Sequence, residues 1–142
     1  MPIPPGGSNL PKVLIVDDTV FTIQIIQMFL NQVMKIQVEQ AINGEEAIQK
    51  CKARVEKNQE AYRLIIMDIN MPGMDGIATT KALRKFMTNY VKKRRQKHFM
   101  IVAHTALPEY QFGSYKKKGF DGFLQKNDNV NLRRFVEQLE IV

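Results

Sequence analysis

Three carboxylates, one hydroxyl and one ammonium group stand at the ends of apolar runs in this sequence of 142 residues. Asp17 and Asp18 follow the run VLIV, and Asp68 ends the run LIIMD. Thr105 stands at the end of the apolar part of HFMIVAHTA, and Lys126 follows FLQ. Neighbouring carboxylates repel each other unless a cation neutralises them, and oxygen ligands of this kind suit Mg²⁺. The set therefore predicts a phosphoryl-transfer site in which Asp68 is the nucleophile that forms an acyl phosphate.

The predicted elements would bring these groups to one edge of a sheet. Five apolar runs typical of strands alternate with helical patterns, which predicts a parallel sheet covered by helices on both faces. The unbroken runs VLIV and LIIM agree, because parallel strands are buried on both sides. Ligands of such sheets bind at the carboxyl ends of the strands. There Lys126 and a metal ion would offset the charge of the phosphoryl oxygens, while Thr105 would hydrogen-bond one of them.

Three helical patterns carry an apolar face. In TVFTIQIIQMFLNQV the residues that share a face are Phe21, Ile25, Met28 and Phe29. A long third helix, DGIATTKALRKFMTNYVKKRRQ, has the stripe Ile77, Leu83, Phe86, Met87 and Tyr90. The closing helix VNLRRFVEQLEIV is expected to face inward with Leu132, Phe135, Val136 and Leu139. A short fourth helix is expected to begin at Pro108 and to stop at Gly119.

The net charge of +7 is concentrated in two segments. KKRRQK (92–97) holds five basic residues and KKK (116–118) holds three, which leaves 13 basic against 14 acidic residues, or −1, for the remainder. The first cluster is typical either of a nuclear address or nucleic-acid contact, or of the solvated end of a helix. A single cysteine, Cys51, excludes an internal disulfide and indicates a reducing compartment in which this thiol is inert. We expect 1–11, rich in proline and glycine, to be a flexible leader or inter-domain linker before a domain at 12–142.

The motifs VLIVDD, IIMDINMPGMDG, AHTA and GFDGFLQK, in this order and spacing, resemble the receiver domain of two-component response regulators. The resemblance covers nearly the whole chain and implies a doubly wound α/β fold, the flavodoxin-like or CheY-like (βα)5 arrangement with strand order 2-1-3-4-5. It implies that Asp68 accepts a phosphoryl group and that Mg²⁺ is held by Asp17, Asp18, Asp68 and the backbone carbonyl of Asn70. A receiver of this kind catalyses its own phosphorylation and dephosphorylation and is not a turnover enzyme by itself.

The resemblance also implies a switch and a set of partners. Lys126 would pair with the phosphoryl group, Thr105 would report its presence, and Phe123 would turn inward when Thr105 moves. The face formed by the fourth helix, fifth strand and fifth helix would then bind a downstream effector or a second copy in a homodimer. The phosphodonor would be a histidine kinase or a histidine phosphotransfer protein, with no nucleic acid and no membrane contact expected. The motif wording is most similar to receivers of hybrid sensor kinases, which implies a cytoplasmic module of a membrane-linked protein, or a nuclear one if 92–97 is an address.

One departure from the family pattern leaves an alternative open. Asn127 follows Lys126, where receivers usually have a proline and often a cis bond. The loop is expected either to be rebuilt in trans or to keep a cis bond at a cost of roughly 2.5–4 kcal/mol. A degenerate receiver that acts only as an interaction scaffold is therefore the alternative. An aspartyl-phosphate phosphatase is disfavoured because Asn70, which cannot shuttle a proton, stands where the acid/base carboxylate would be. A flavodoxin-like nucleotide binder is disfavoured because VDDTVF offers anions to a phosphate.

Overall fold

The computed structural model describes residues 10–106, 112–139 and 141, and within them five strands alternate with helices along the chain. The strands are β1 (Val13–Val16), β2 (Val38–Ala41), β3 (Leu64–Asp68), β4 (Met100–Thr105) and β5 (Gly122–Gln125). The helices are α1 (Val20–Met28, continued by a π-helical turn over Phe29–Val33), α2 (Gly44–Glu56), α3 (Gly76–Lys93), α4 (Phe112–Lys116) and α5 (Asn129–Gln138). Most of the predicted leader and the predicted start of the fourth helix at Pro108 lie outside the described residues.

The strands form one parallel sheet in the order β2-β1-β3-β4-β5, which confirms the predicted doubly wound fold. Strand order reverses at β1 and β3, whose register pairs Val16 with Met67. All residues of β1 and β3 are buried, because helices cover both faces of these central strands. The sheet separates two hydrophobic cores, and alternate residues of β3 point into each of them. Ile65 packs on the side of α2 and α3, and Ile66 packs on the side of α1 and α5.

The apolar face predicted for α1 is not the face that packs on the sheet. Ile23, Ile26 and Leu30 are buried against the α1 and α5 side, whereas Phe21 is 69% exposed and Met28 is 58% exposed. Ile25 is also exposed, at 41%, and Phe29 packs only partly against this core. Because apolar residues occur all around this helix, their spacing does not decide which face turns inward. Packing against the sheet selects the inward face of α1, and the other apolar side chains of this helix remain exposed to solvent.

The stripes predicted for the third and fifth helices are confirmed. On α3, Leu83 and Met87 are buried, and on α5, Leu132, Val136 and Leu139 are buried. The other predicted members are partly buried and pack against the same cores: Ile77, Phe86, Tyr90 and Phe135. The predicted extension of α3 to residue 96 is wrong, because the helix ends at Lys93 and Arg95 takes a left-handed backbone conformation with φ 57°.

Two other expectations from the sequence concern the core and the membrane. Cys51 is buried, and burial raises the pKa of its thiol to about 12, so the thiol stays protonated and inert as predicted. Gly119 ends the turn after α4 with φ 107°, as predicted for a helix stop. Among the residues that the structure describes, no helix is both long and apolar enough to cross a membrane.

The loop between β3 and α3 returns directly onto the end of β3 at Gly76. A Cβ atom at Gly76 would lie 2.1 Å from the backbone oxygen of Asp68 and 2.9 Å from the Cα of Ile69. The Gly76 N–H donates to the Ile69 carbonyl at 3.0 Å, and the Asp75 side chain caps α3 by accepting from Ala78 N–H at 2.8 Å. Only glycine permits this close approach, which fixes Asp68 against the start of α3.

We predict that Gly76→Ala lowers the free energy of unfolding by about 1–3 kcal/mol, because the new methyl group must push the start of α3 off the backbone of β3. Urea unfolding measures the change. The matched control is Gly113→Ala on α4, where a Cβ would meet nothing within 4 Å, and there the free energy of unfolding should not fall. Equal stability of Gly76→Ala and the wild type would contradict the prediction.

Candidate functional site at the carboxyl edge of the sheet

The acidic residues predicted from the sequence converge beyond the ends of β1 and β3. Because Val16 pairs with Met67, Asp17 and Asp68 follow at the same level on adjacent strands. One carboxylate oxygen from each of Asp17, Asp18 and Asp68 lies within 4.8 Å of the other two. Asp17 is fully buried and Asp68 is 2% exposed, whereas Asp18 is exposed to solvent. The structure thus places two buried carboxylates and one exposed carboxylate around one point.

The described residues satisfy this acidic cluster only in part. Asp17 Oδ1 accepts a hydrogen bond from the Thr19 N–H at 2.8 Å, but Asp17 Oδ2 is buried and has no hydrogen-bond partner among the described residues. A buried carboxylate oxygen without a partner is costly in a folded protein. An oxygen-lined cluster with such an orphan atom fits a hard divalent cation of the Mg²⁺ kind.

Burial, together with the charge of neighbouring carboxylates, also changes the proton affinity of the cluster. Burial, followed by the neighbouring charge of Asp17, raises the pKa of Asp68 to about 6 from 3.8, although Lys126 and the Asn70 N–H act in the opposite direction. Burial likewise raises the pKa of Asp17, against a lowering by the hydrogen bond from Thr19. Both shifts have the sign expected for carboxylates whose negative charge lacks full compensation.

Lys126 is the nearest described cation to the acidic cluster, with its Nζ 3.6 Å from Asp68 Oδ1. Its side chain is 34% exposed, so this ion pair faces the opening of the site. The backbone N–H of Lys126 donates to the Thr105 carbonyl at 3.0 Å, which ties the end of β5 to the end of β4. All peptide bonds among the described residues are trans, including the one between Lys126 and Asn127. The loop is therefore rebuilt in trans, and Asn127 makes the turn with φ 69°, a conformation that asparagine tolerates.

The remaining predicted residues surround this cluster. Thr105 ends β4 and is 1% exposed. Phe123 on β5 pairs with Ala103 and is partly buried, and strand alternation places Thr105 and Phe123 on the same face of the sheet. Asn70 is exposed on the loop after β3, and its backbone N–H donates to Asp68 Oδ1 at 3.4 Å. The structure thus brings the carboxylates and Lys126 together at one end of the strands, with Thr105 and Asn70 beside them.

Two features of this region were not predicted from the sequence: a buried histidine and the cavity that it lines. His104 pairs with Asp68 in the β3–β4 register and is 3% exposed. Burial, followed by the charge of Lys126, lowers the pKa of His104 to about 4. The imidazole lines a cavity of about 170 Å³ together with Lys126 and the α1 residues Phe21 and Ile25. Strand alternation within AHTA was the available signal, because it puts His104 on the face opposite Thr105.

Fold and site together define a doubly wound α/β domain with an acidic pocket at the point where strand order reverses, and comparisons with known proteins place it in a family. A family model described as the response regulator receiver domain matches residues 13–137. The chain therefore belongs to the response regulator receiver domain family, whose members act in two-component phosphorelay systems.

Relatives and solved structures agree with this assignment. The chain is 34% identical over 124 residues to the sensor protein GacS of Pseudomonas syringae pv. syringae, covering 87% of this chain and 12% of that protein. It is 33% identical over 116 residues to the osmosensing histidine protein kinase SLN1 of Saccharomyces cerevisiae, covering 81% of this chain and 9% of that protein. The chain thus spans about a tenth of the length of these relatives.

Two solved structures share the fold. The receiver domain of the histidine kinase CKI1 from Arabidopsis thaliana, complexed with Mg²⁺, is 28% identical with a TM-score of 0.67, over 89% of this chain and 91% of that one. The chemotaxis protein CheY4 of Vibrio cholerae is 28% identical with a TM-score of 0.70, over 92% of this chain and 98% of that one.

We predict that His104 makes the folded state less stable in acid. Its pKa is lowered to about 4 from 6.5, so the unfolded chain binds a proton that the folded chain does not as the pH falls through this range. This difference lowers the free energy of unfolding by up to about 3 kcal/mol between about pH 7 and about pH 4. Urea unfolding of the wild type and of His104→Leu across this range measures it.

The variant His104→Leu retains the other titrating groups, including Asp68, whose raised pKa acts in the opposite direction and stabilises the folded state as the pH falls. The difference in free energy between the wild type and the variant therefore isolates the histidine. If the wild type and the variant lose stability in parallel, His104 does not titrate as predicted.

Proposed function

We propose that Asp68 accepts a phosphoryl group from a phosphohistidine of a histidine kinase or a histidine phosphotransfer protein. The observation that carries this proposal is the position of the Asp68 carboxylate, which is buried at the end of a rigid central strand with Lys126 Nζ at 3.6 Å. In the transfer, a carboxylate oxygen of Asp68 forms a bond to phosphorus as the phosphorus–nitrogen bond of the phosphohistidine breaks. The electron pair of that bond stays on the departing imidazole nitrogen, and because the other ring nitrogen of the reacting phosphohistidine carries a proton, the product is a neutral histidine.

The acidic cluster is proposed to hold Mg²⁺ through Asp17, Asp18, Asp68 and the backbone carbonyl of Asn70. The all-oxygen donor set supports this assignment, as does the Oδ2 of Asp17, which has no hydrogen-bond partner among the described residues. When bound, such an ion offsets negative charge on the transferring phosphoryl oxygens. It would also reduce the electrostatic cost of the buried Asp17 and Asp68 carboxylates, both of whose pKa values are raised by burial.

The residues of this chain would then stabilise and report the phosphoryl group. Lys126 would pair with a phosphoryl oxygen, and the Thr105 hydroxyl would donate a hydrogen bond to another. Movement of Thr105 towards Asp68 would open space for Phe123, which lies on the same face of the sheet. This change would reshape the α4, β5 and α5 face for a downstream effector or for a homodimer, by population of an active arrangement that the phosphoryl group stabilises.

The chain is proposed to act as a receiver module of a hybrid histidine kinase. This proposal is supported by the relatives, since SLN1 and the hybrid signal transduction histidine kinase B of Dictyostelium discoideum are 33% and 34% identical to the chain. In that setting 1–11 would be a linker, 12–142 would form the receiver, and the module would work in the cytoplasm. The scaffold alternative, a receiver that no longer accepts phosphate, is disfavoured by the retained acidic cluster and by the trans loop that keeps Lys126 beside Asp68.

The phosphodonor is proposed to dock on the exposed apolar surface of α1. Val20 is 55% exposed, Phe21 69% and Ile25 41%, and this surface borders the cavity that Lys126 also lines. Adjacent exposed apolar side chains are typical of an interaction site. A partner seated there would bring its histidine to the carboxyl edge of the sheet, because α1 begins three residues after Asp17.

We predict that the wild type gains one phosphoryl group from acetyl phosphate in the presence of Mg²⁺, and that Asp68→Asn abolishes the gain. The amide of asparagine cannot form the acyl phosphate. Intact-protein mass spectrometry detects the adduct, and addition of a chelator should prevent it. The control Glu56→Gln removes an exposed carboxylate on α2 and should leave the adduct unchanged. A wild type that gains no phosphoryl group would favour the scaffold alternative.

We predict that Phe21→Ala and Ile25→Ala slow phosphoryl transfer from a phosphorylated histidine phosphotransfer protein by at least about tenfold, because each removes part of an apolar contact. Rapid-quench kinetics with a phosphotransfer protein that serves the wild type measures the rate. Labelling by acetyl phosphate, which needs no docking, should stay within about twofold.

The matched control for these variants is Val33→Ala, which trims a 55% exposed side chain at the far end of the same helical segment. Transfer to this control should match the wild type. Equal slowing in the control and the α1 variants would locate docking elsewhere.

A further inference from the structure

The end of the sheet opposite Asp68 is basic, and the proposed phosphotransfer gives this charge no role. Three cations lie just before the first three strands. Lys12 immediately precedes β1, Lys35 lies three residues before β2, and Arg63 immediately precedes β3. The segment 92–97, KKRRQK, leads from α3 towards β4 and supplies five further cations. The carboxylates Asp17, Asp18 and Asp68 lie at the other ends of these strands, so the domain has an acidic pole and a basic pole.

The segment after α3 is held in place by specific hydrogen bonds. Gln96 accepts from the Ala61 N–H at 3.0 Å and donates to the carbonyls of Ala61 and His98 at 3.2 and 2.9 Å. Arg94 Nη1 donates to the backbone carbonyl of Asn58 at 2.7 Å and to its side-chain oxygen at 2.9 Å. These contacts fix the segment to the loop before β3, so its cations are pre-organised instead of trailing from a frayed helix.

Four cations of this segment, Lys92, Lys93, Arg95 and Lys97, are not used by the local fold, and two of them, Arg95 and Lys97, line the pocket described below. Both are exposed, and neither side chain makes a hydrogen bond or ion pair within the part of the chain that the structure describes. Arg95 also occupies, with φ 57°, the left-handed position after the helix end that glycine adopts without strain. An arginine therefore stands where the backbone conformation favours glycine.

These cations surround a concave pocket of about 310 Å³. Its charged lining comprises Arg63, Arg94, Arg95, Lys97 and Glu60, that is, four positive charges and one negative charge, or +3. Glu60 is already paired with Arg63, whose Nε lies 3.0 Å from Glu60 Oε1. Arginine forks match the oxygens of phosphate groups, and clustered cations select ligands with several negative charges.

We propose that this pocket, the distal basic pocket, binds a small anion that carries several closely spaced phosphate groups. Its size and concave shape favour such a ligand over a nucleic acid, whose backbone would follow an extended basic track. The distal basic pocket lies at the opposite end of the sheet from Asp68. Occupancy of the pocket therefore does not block the approach of a phosphodonor, and the site does not depend on the function proposed for Asp68.

The test is isothermal titration of the full chain with sodium tripolyphosphate in buffer without Mg²⁺. The wild type should bind with a Kd below about 1 mM that rises with salt concentration. The double variant R95Q/K97Q removes two charges from the pocket and should bind at least about tenfold more weakly. The matched control K116Q/K117Q removes two exposed charges elsewhere and should stay within about threefold of the wild type. Urea unfolding checks that both variants keep the wild-type fold.

Three results would overturn the proposal. The first is the absence of binding by the wild type, and the second is equal weakening in the two double variants, which would indicate only diffuse attraction by net charge. The third is tighter binding of a single-stranded oligonucleotide at the same phosphate concentration, lost in R95Q/K97Q, which would make the ligand a polymer. Asp68→Asn should bind tripolyphosphate as the wild type does. Binding of tripolyphosphate and phosphorylation of Asp68 are therefore tested separately, and either proposal can be wrong without the other.

Discussion

The burial of two like charges side by side is the constraint on which the rest of this structure depends. Asp17 and Asp68 end the two central strands at the same level, and both are almost completely removed from solvent. Desolvation raises both pKa values, the neighbouring charge of Asp17 raises that of Asp68 further, and one oxygen of Asp17 has no partner among the described residues. A fold that keeps this arrangement carries an energetic cost at the edge of its core. A bound cation would offset this cost, and the proposed function places Mg²⁺ at this cluster.

The surrounding backbone holds this unfavourable arrangement in place. Gly76 lets the start of α3 press against the carbonyl of Asp68, and any side chain there would collide with the backbone. On the other side, the Lys126 N–H is bonded to Thr105, and Asn127 turns the chain with a positive φ. The proline usual in receivers at this position is therefore not needed to bring Lys126 near Asp68. A left-handed asparagine in a trans loop reaches the same result by another route.

The proposed functions of the domain lie on different surfaces, two of which adjoin at Lys126. The acidic edge carries the proposed chemistry, and the exposed apolar side of α1 borders it as a proposed docking surface. The opposite end of the sheet carries the distal basic pocket, whose loop is fixed by Gln96 and Arg94. Because charges of opposite sign lie at opposite ends of the strands, a phosphate-bearing anion and a metal cation would be drawn to different ends of the molecule.

The sequence by itself determined the fold class and the set of carboxylates, because both can be seen in local patterns. Unbroken apolar runs indicate buried parallel strands, and the charged residues stand directly at the ends of those runs. The family resemblance added the strand order. The inward face of α1 could not be predicted, since apolar residues surround that helix and only contact with β1 and its neighbours selects Ile23 and Ile26. The position of 92–97 could not be predicted either, because its hydrogen bonds to Ala61 and Asn58 join segments more than thirty residues apart. The tertiary structure alone decided such matters, because they depend on which distant segments meet and not on the pattern within any one of them.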